Sequence, residues 1–169
     1  MSELATNRAP TGAMNALTLR MQDEMFAIEA GHVREILDMV PITVVPNAPA
    51  FVTGLINVRG RVVPLADLRV MFDMARPPAD ADTRIVVVET EIAGEPTVVG
   101  ILADKVYDVT DIEAADIQDA PKVGMRWRPD YVRGIGKRNG NFIIIPDLQA
   151  ILEQQGRRSG PVSIEEGLL

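Results

Sequence analysis

The sequence predicts an all-β protein built as one barrel or as a pair of barrels. Its 169 residues include 13 glycines and 12 prolines. Between Ala16 and Leu152 these residues separate short runs that are rich in Val and Ile. Short apolar runs bounded by turn residues are typical of strands rather than of long helices. Many short strands joined by turns favour a barrel architecture.

Ten segments fit the strand pattern, and two others fit a brief helix. The candidate strands are Ala16–Met21, Glu24–Ala30, Arg34–Asp38, Leu55–Val58, Val62–Leu65, Arg84–Thr90, Thr97–Ala103, Tyr107–Asp111, Ile135–Lys137 and Phe142–Ile145. The candidate helices are Asp67–Phe72 and Asp147–Leu152. Each helix opens with an aspartate, whose carboxylate suits the free backbone N–H groups of a first turn.

The folded part is expected to span residues 16–152, with a flexible leader at 1–15 and a tail at 153–169. The leader contains Pro10 and Gly12 and has no apolar stretch, so it does not fit a signal peptide. No segment approaches the roughly 20 apolar residues that cross a bilayer. These observations predict a cytoplasmic protein with no membrane insertion.

The chain carries an internal repeat. An offset of 80 residues places Phe51-Val52-Thr53-Gly54-Leu55 over Tyr131-Val132-Arg133-Gly134-Ile135, Gly60 over Gly140 and Asp67 over Asp147. An offset of 73 places Ile28-Glu29-Ala30 over Ile101-Leu102-Ala103 and Val33-Arg34-Glu35 over Val106-Tyr107-Asp108. Self-similarity of this kind indicates two copies of one unit. We therefore expect a first barrel over about residues 16–75 and a second over about 80–152.

The two copies of the repeat differ at one hairpin turn, where the second copy has the preferred turn residues and the first does not. The second copy has Asn139-Gly140, the strongest short hairpin signal, because both residue types tolerate a positive φ. The first copy has Arg59-Gly60 at the same place. Broken local preferences mark candidate functional sites, although Arg59 also fits an ordinary hairpin residue paired with a nearby acid. The side chain of Asn57 is placed to hydrogen-bond across this turn.

The amino-acid composition argues against several classes of function. The chain has 17 Lys and Arg against 24 Asp and Glu, a net charge of −7, one histidine and no cysteine. It has no thiol nucleophile, no disulfide and no Cys-based metal site, and one histidine cannot build a two-histidine metal site. A broad nucleic-acid surface needs clustered basic residues. Binding is therefore favoured over catalysis, and no cofactor is expected.

Several motifs resemble the CheW-type chemotaxis coupling proteins. The most specific is an Asn-x-Arg-Gly hairpin followed by Pro and then Asp-Leu-Arg. The matching runs are residues 47–60, the continuation 61–69, Phe26-Ala27-Ile28, Val33-Arg34-Glu35-Ile36, 83–88 and 98–106. The resemblance covers about residues 16–152, nearly the whole chain.

The resemblance implies a fold, a function and partners. The fold would be two five-stranded SH3-like barrels packed on a shared core, with short helices. The family is non-catalytic and couples the cytoplasmic tips of methyl-accepting chemotaxis receptors to the regulatory domain of the histidine kinase CheA. This chain would then be a cytoplasmic adaptor recruited to receptor arrays at the membrane, with no nucleic-acid partner.

The resemblance also implies site residues. The receptor-binding set is Val33, Glu35, Asn57, Arg59, Ile85, Gly100 and Val109. Its apolar members would accept a receptor helix, while the Arg59 guanidinium would supply a planar pair of donors to an oxygen of the receptor. The kinase-binding set is Ile42, Val44 and Val45, on an expected strand over residues 42–45.

Three alternatives stay open. The first is a specialised CheW-like paralogue that serves a histidine-kinase pathway outside chemotaxis. The second is a small β-barrel enzyme that uses paired carboxylates such as Asp67 and Asp147, although both are explained as helix caps. The third is a barrel that binds single-stranded nucleic acid, which needs aromatic stacking platforms on a basic groove. The chain has only four Phe, two Tyr and one Trp.

Overall fold

All ten predicted strands form, and an eleventh of two residues joins them. The computed structural model describes residues 12–121, 123 and 128–153, so most of the expected leader and tail lies outside the described residues. The strands are β1 (Met14–Met21), β2 (Glu24–Glu29), β3 (Val33–Asp38), β4 (Val52–Val58), β5 (Arg61–Ala66), β6 (Arg84–Ile92), β7 (Glu95–Ala103), β8 (Lys105–Ile112), β9 (Ile117–Gln118), β10 (Val132–Arg138) and β11 (Asn141–Pro146). Single 3₁₀ turns occur at Ala30–His32, Ala114–Asp116 and Pro129–Tyr131.

One of the two expected helices forms. Residues 148–153 are helical (α1), and the backbone N–H of Ala150 donates to Oδ1 of Asp147 over 3.0 Å, as a helix cap should. The expected helix at Asp67–Phe72 is wrong, because residues 68–73 form successive turns. Asp73 has a φ of +54°, which ends the helical path, and the Asp67 carboxylate is bound by the Arg69 side chain.

The strands form two antiparallel-rich sheets that draw on both halves of the chain. The order is β3-β6-β7-β5-β4 in the five-stranded sheet and β8-β1-β2-β11-β10-β9 in the six-stranded sheet. This differs from the expected division into residues 16–75 and 80–152. The hairpin of each half crosses over and pairs in parallel with a strand of the other half, β2 with β11 and β7 with β5. Each sheet therefore needs both halves.

The two sheets are equivalent in register as well as in order. Val52 pairs with Ala66 and Gly54 with Leu65, with a bulge between the two pairs. At an offset of 80 residues, Val132 pairs with Pro146 and β10 has the same bulge. The repeat found in the sequence is thus present in the strand pairing.

Both aligned glycines lie where another chain segment crosses. A Cβ on Gly54 would overlap the carbonyl oxygen of Thr43, and one on Gly134 would lie 2.9 Å from Cγ2 of Ile117. Thr43 forms a single antiparallel bridge to Leu55. The expected strand over residues 42–45 is therefore wrong. The segment pairs with the edge strand β4 only at Thr43, where Gly54 permits the close approach.

The hydrophobic core has three clusters that match this arrangement. One lies between the sheets and includes Phe26 from one sheet, Ile101 from the other, and Phe72, whose ring is 5.3 Å from that of Phe26. A second fills the five-stranded sheet around Leu65. A third fills the six-stranded sheet around Ile112. The shared cluster holds the two sheets together through apolar burial.

Candidate functional site

The turn between β4 and β5 holds an arginine in a conformation that arginine rarely adopts. Arg59 has a φ of +53° and Gly60 a φ of +84°, the pair of values that a two-residue hairpin of this type requires. The backbone N–H of Gly60 donates to Oδ1 of Asn57 over 2.9 Å. The turn therefore does require a positive φ of an arginine, as the alignment with Asn139-Gly140 predicted. Asn57 hydrogen-bonds across the turn as expected.

The Arg59 side chain forms a two-point ion pair with Glu35 on β3. Arg59 Nε lies 3.0 Å from Oε2 of Glu35, and Nη2 lies 3.0 Å from Oε1. The hydrogen bonds from Arg59 lower the pKa of Glu35 below its ordinary value, and the charge of Arg59 acts in the same direction. The Arg59 side chain is nevertheless 78% exposed. The pair fixes the direction of the guanidinium and leaves it open to a partner.

The ion pair lies at the rim of a cleft of about 210 Å³ at one end of the five-stranded sheet, which we call the mouth cleft. Its floor is apolar: Val58, Val63, Val87 and Val98. Its rim is charged: Arg34, Glu35, Arg59, Arg61 and Glu89. All five strands of the sheet contribute, so the fold itself fixes the position of each group.

A second cleft, about 450 Å³ in volume, lies beside the edge strand β4, and we call it the flank groove. Its lining is Val40, Pro41, Thr43, Leu55, Ile56, Asn57 and Val62. Val62 is 71% exposed. Of the kinase-binding residues predicted next to this groove, Val44 is 75% exposed, and Ile42 and Val45 are half-buried. Exposed aliphatic side chains around an apolar groove are typical of a protein-binding surface.

The structure brings only part of the predicted receptor set together. Glu35, Asn57 and Arg59 form one cluster. Val33 is half-buried at the start of β3 and packs against the shared core. Val109 is 51% exposed, but it lies on β8 in the other sheet.

Two predicted contact residues belong to the core instead. Ile85 has no exposed surface, and Gly100 is buried beside it. A Cβ on Gly100 would lie 3.1 Å from Cγ2 of Ile85 and 3.3 Å from Cδ1 of Leu65. Neither residue offers a side chain to a partner, because glycine has none and the side chain of Ile85 is packed in the core of the five-stranded sheet. Their burial does not allow the expected direct contact.

Sequence reasoning missed several rim and groove residues. Arg34 forms an ion pair with Glu89, and both line the mouth cleft. Arg61 lines the same cleft, while its neighbour Val62 lines the flank groove. The signal was present in the alternation along β5, because successive strand residues point to opposite faces.

A buried ionic cluster joins the sheets. Arg69 is 4% exposed, and its guanidinium lies 2.9 Å from carboxylate oxygens of both Asp67 and Asp104. Asp104 also accepts the backbone N–H of Gln22, in the β1–β2 turn, over 2.6 Å. The hydrogen bond with Asp67 raises the pKa of Arg69, with both carboxylates adding to this effect against burial. Asp67 is therefore bound in an ion pair, which does not suit an acid–base catalyst.

The described residues hold neither a candidate metal centre nor a helix that could span a membrane. Across 12–121, 123 and 128–153, no cluster of three or more His, Asp or Glu side chains could hold a metal ion. In the same ranges no helix has the length and apolar character needed to cross a membrane.

Comparison with known proteins settles the family. Residues 15–156 match the model of the CheW-like domain. The chain belongs to the CheW-like family. Chemotaxis protein CheW of Rhizobium meliloti (strain 1021) is 29% identical over 155 residues, which cover 92% of this chain and 97% of that protein. Chemotaxis protein CheW of Klebsiella aerogenes is 31% identical over 139 residues, covering 82% and 81% of the two chains.

A solved structure confirms the fold class of this CheW-like chain. The scaffolding protein TtCheW from Thermoanaerobacter tengcongensis superposes with a TM-score of 0.73 at 30% identity, covering 83% of this chain and 92% of that one. The all-β prediction with two SH3-like subdomains is therefore confirmed. This CheW-like chain is accordingly a chemotaxis scaffold of that family.

Proposed function

We propose that this chain is a non-catalytic cytoplasmic adaptor that couples chemoreceptor tips to the regulatory domain of the histidine kinase CheA in membrane-associated arrays. The observation that carries the proposal is Arg59. The fold holds this residue in a left-handed conformation, fixes its guanidinium through Glu35, and leaves it 78% exposed above an apolar cleft. A guanidinium that is held in position before a partner arrives, and is still exposed, loses less conformational entropy on binding.

The mouth cleft is the proposed receptor site. The Arg59 guanidinium supplies a planar donor pair, and the valines of the floor supply an apolar surface for a helix face. Glu35 and Asn57 orient this arginine. Val33 and Val109 extend the proposed receptor surface from the two edge strands β3 and β8, and Ile85 and Gly100 support the cleft from below.

The flank groove is the proposed kinase site. Ile42, Val44 and Val45 lie along the segment that borders the groove, and Val62 adds an exposed aliphatic side chain from β5. The groove and the mouth cleft open on different faces of β5. One adaptor molecule therefore has room for both partners at once.

Binding measurements with two variants test this division of labour. By isothermal titration, Arg59→Glu is expected to lose affinity for a receptor cytoplasmic fragment and to keep its affinity for the CheA regulatory domain. Val44→Asp is expected to show the reverse, because a charge in an apolar contact is costly. Arg138→Glu is the matched control for the first variant, since it makes the same charge change at the β10–β11 hairpin. Val123→Asp is the control for the second, at a valine that is 88% exposed.

The possible results test the receptor site, the kinase site and the adaptor function separately. Unchanged receptor binding by Arg59→Glu would show that the mouth cleft is not the receptor site. Unchanged kinase binding by Val44→Asp would move the kinase site away from the flank groove. Failure of the unmodified chain to bind either partner contradicts the adaptor function as a whole.

A further inference from the structure

The rim of the mouth cleft carries more positive charge than its own acids neutralise. Three arginines face two glutamates there. Arg59 is paired with Glu35 and Arg34 with Glu89. Arg61 is exposed and, within the described part of the chain, takes part in no ion pair or side-chain hydrogen bond. The third guanidinium therefore has its full set of donors available.

The position of Arg61 is fixed by the strand that carries it. Arg61 opens β5 and pairs with Val58 across the hairpin. Strand alternation places Arg61 on the same face as Val63, which is 2% exposed and forms part of the cleft floor. An unpaired cation thus lies directly beside an apolar floor. A partner with an acidic side chain next to an aliphatic one could pair with Arg61 and cover the apolar floor at the same time.

The size of the cleft limits the occupant. Sites for drug-sized small molecules generally have volumes of roughly 300–1,000 Å³, whereas this cleft has about 210 Å³. It suits one or two side chains of a polypeptide that lies across it. All five strands of the sheet line the cleft, so the site is already formed before a partner binds.

We propose that Arg61 is a specificity-determining residue, and that it binds a carboxylate of the receptor segment that lies across the mouth cleft. This inference rests on the proposed function, because it takes the receptor as the occupant. Arg59 is already held by Glu35 and sets the position of the segment. Arg61 selects receptor segments in which an Asp or Glu lies next to an aliphatic residue that packs against the valines of the cleft floor.

A titration of receptor fragment into Arg61→Gln tests the proposal. Arg61→Gln removes the charge and keeps much of the side-chain length. It is expected to raise the Kd for the receptor fragment about tenfold at low salt, the lower end for close interfacial charge pairs. The difference should shrink in 0.5 M salt, where screening is strong. Arg76→Gln is the matched control, since Arg76 is also exposed and without a partner among the described residues but lies outside the cleft.

A charge swap identifies the receptor group. Arg61→Glu should bind the unmodified fragment still more weakly, and replacing one receptor carboxylate by Lys should restore binding to Arg61→Glu but not to Arg59→Glu. The inference is overturned if Arg61→Gln and Arg76→Gln bind alike, or if no single receptor substitution restores binding. If Arg59→Glu still loses receptor binding in that case, the proposed function is supported although the role of Arg61 is wrong. A chain that binds no receptor fragment at all contradicts the proposed function itself.

Discussion

At the scale of single residues, Arg59 shows how function and local stability compete. The equivalent turn in the other sheet has Asn139 with the same φ of +53°. Asparagine tolerates this region far better than arginine does, because its short polar side chain bonds locally. The first turn accepts a less favourable residue whose guanidinium reaches Glu35. The conflict is visible in the sequence alone, because the repeat aligns the two turns.

Exchanging the two turn residues should separate stability from binding. Arg59→Asn is expected to raise the Tm by about 2 °C, since relief of left-handed strain outweighs a solvent-exposed ion pair, while receptor affinity falls. Asn139→Arg should lower the free energy of unfolding by about 1 kcal/mol and leave receptor affinity unchanged. Calorimetry and titration measure both effects. A lower Tm for Arg59→Asn would show that the ion pair outweighs the strain.

The Glu35 carboxylate should titrate below its ordinary pKa. The Arg59 hydrogen bonds lower this pKa in the folded state, so the pair contributes stability above the unfolded-state pKa and loses that contribution as the pH falls through the folded-state value. We expect the Glu35 carboxyl resonance in NMR to titrate at lower pH in the unmodified chain than in Arg59→Asn. Equal midpoints would mean that the pair does not form in solution.

Removing the buried cation should be much more damaging than removing an exposed one. Arg69→Met leaves Asp67 and Asp104 buried without a positive charge, which is expected to cost about 3–5 kcal/mol of unfolding free energy in urea titrations. Arg76→Met, at an exposed position, should change it by less than about 0.5 kcal/mol. A loss below about 1 kcal/mol for Arg69→Met would show that the ionic cluster does not hold the sheets together.

At the scale of elements, aligned glycines mark the places where the segments before β4 and β10 cross these strands. The sequence showed that Gly54 and Gly134 match, but the cause is the close passage of Thr43 in one sheet and of β9 in the other. No propensity rule predicts which segment will cross. The same limit explains the turns at residues 68–73, because tertiary demands on Phe72 and Arg69 override a weak helix signal.

A methyl group at Gly54 should displace the segment that borders the flank groove. Gly54→Ala is expected to cost about 1–3 kcal/mol, the range for overpacking, and to weaken CheA binding as residues 42–45 move. Gly31→Ala is the control, because its Cβ would meet nothing within 4 Å. Unfolding titrations and kinase-domain binding measure the effects. Equal stability of the two variants would show that the crossing segment yields without cost.

At the scale of the whole molecule, the sequence predicted the strands and the repeat but not their pairing. Strand positions follow from local apolar runs and turn residues, and all ten candidate strands were confirmed, whereas the strand expected over residues 42–45 was wrong. The exchange of hairpins between sheets depends on contacts between β2 and β11 and between β5 and β7, which lie far apart along the chain. For the same reason Ile85 and Gly100 were expected at a surface, although both are buried in the five-stranded sheet. The repeat places Arg61 over Asn141, and Arg61 was missed because, unlike Arg59, it breaks no local rule there.

Reconstitution with CheA and a receptor cytoplasmic fragment tests the central claim most directly. Autophosphorylation of the kinase is measured with and without the unmodified chain, and again with Arg59→Glu. The adaptor function predicts that adding the chain to kinase plus receptor changes the rate, that adding it to kinase alone has little effect, and that Arg59→Glu removes the receptor-dependent change. An autophosphorylation rate that is the same with and without the chain, in the presence of receptor, would contradict it.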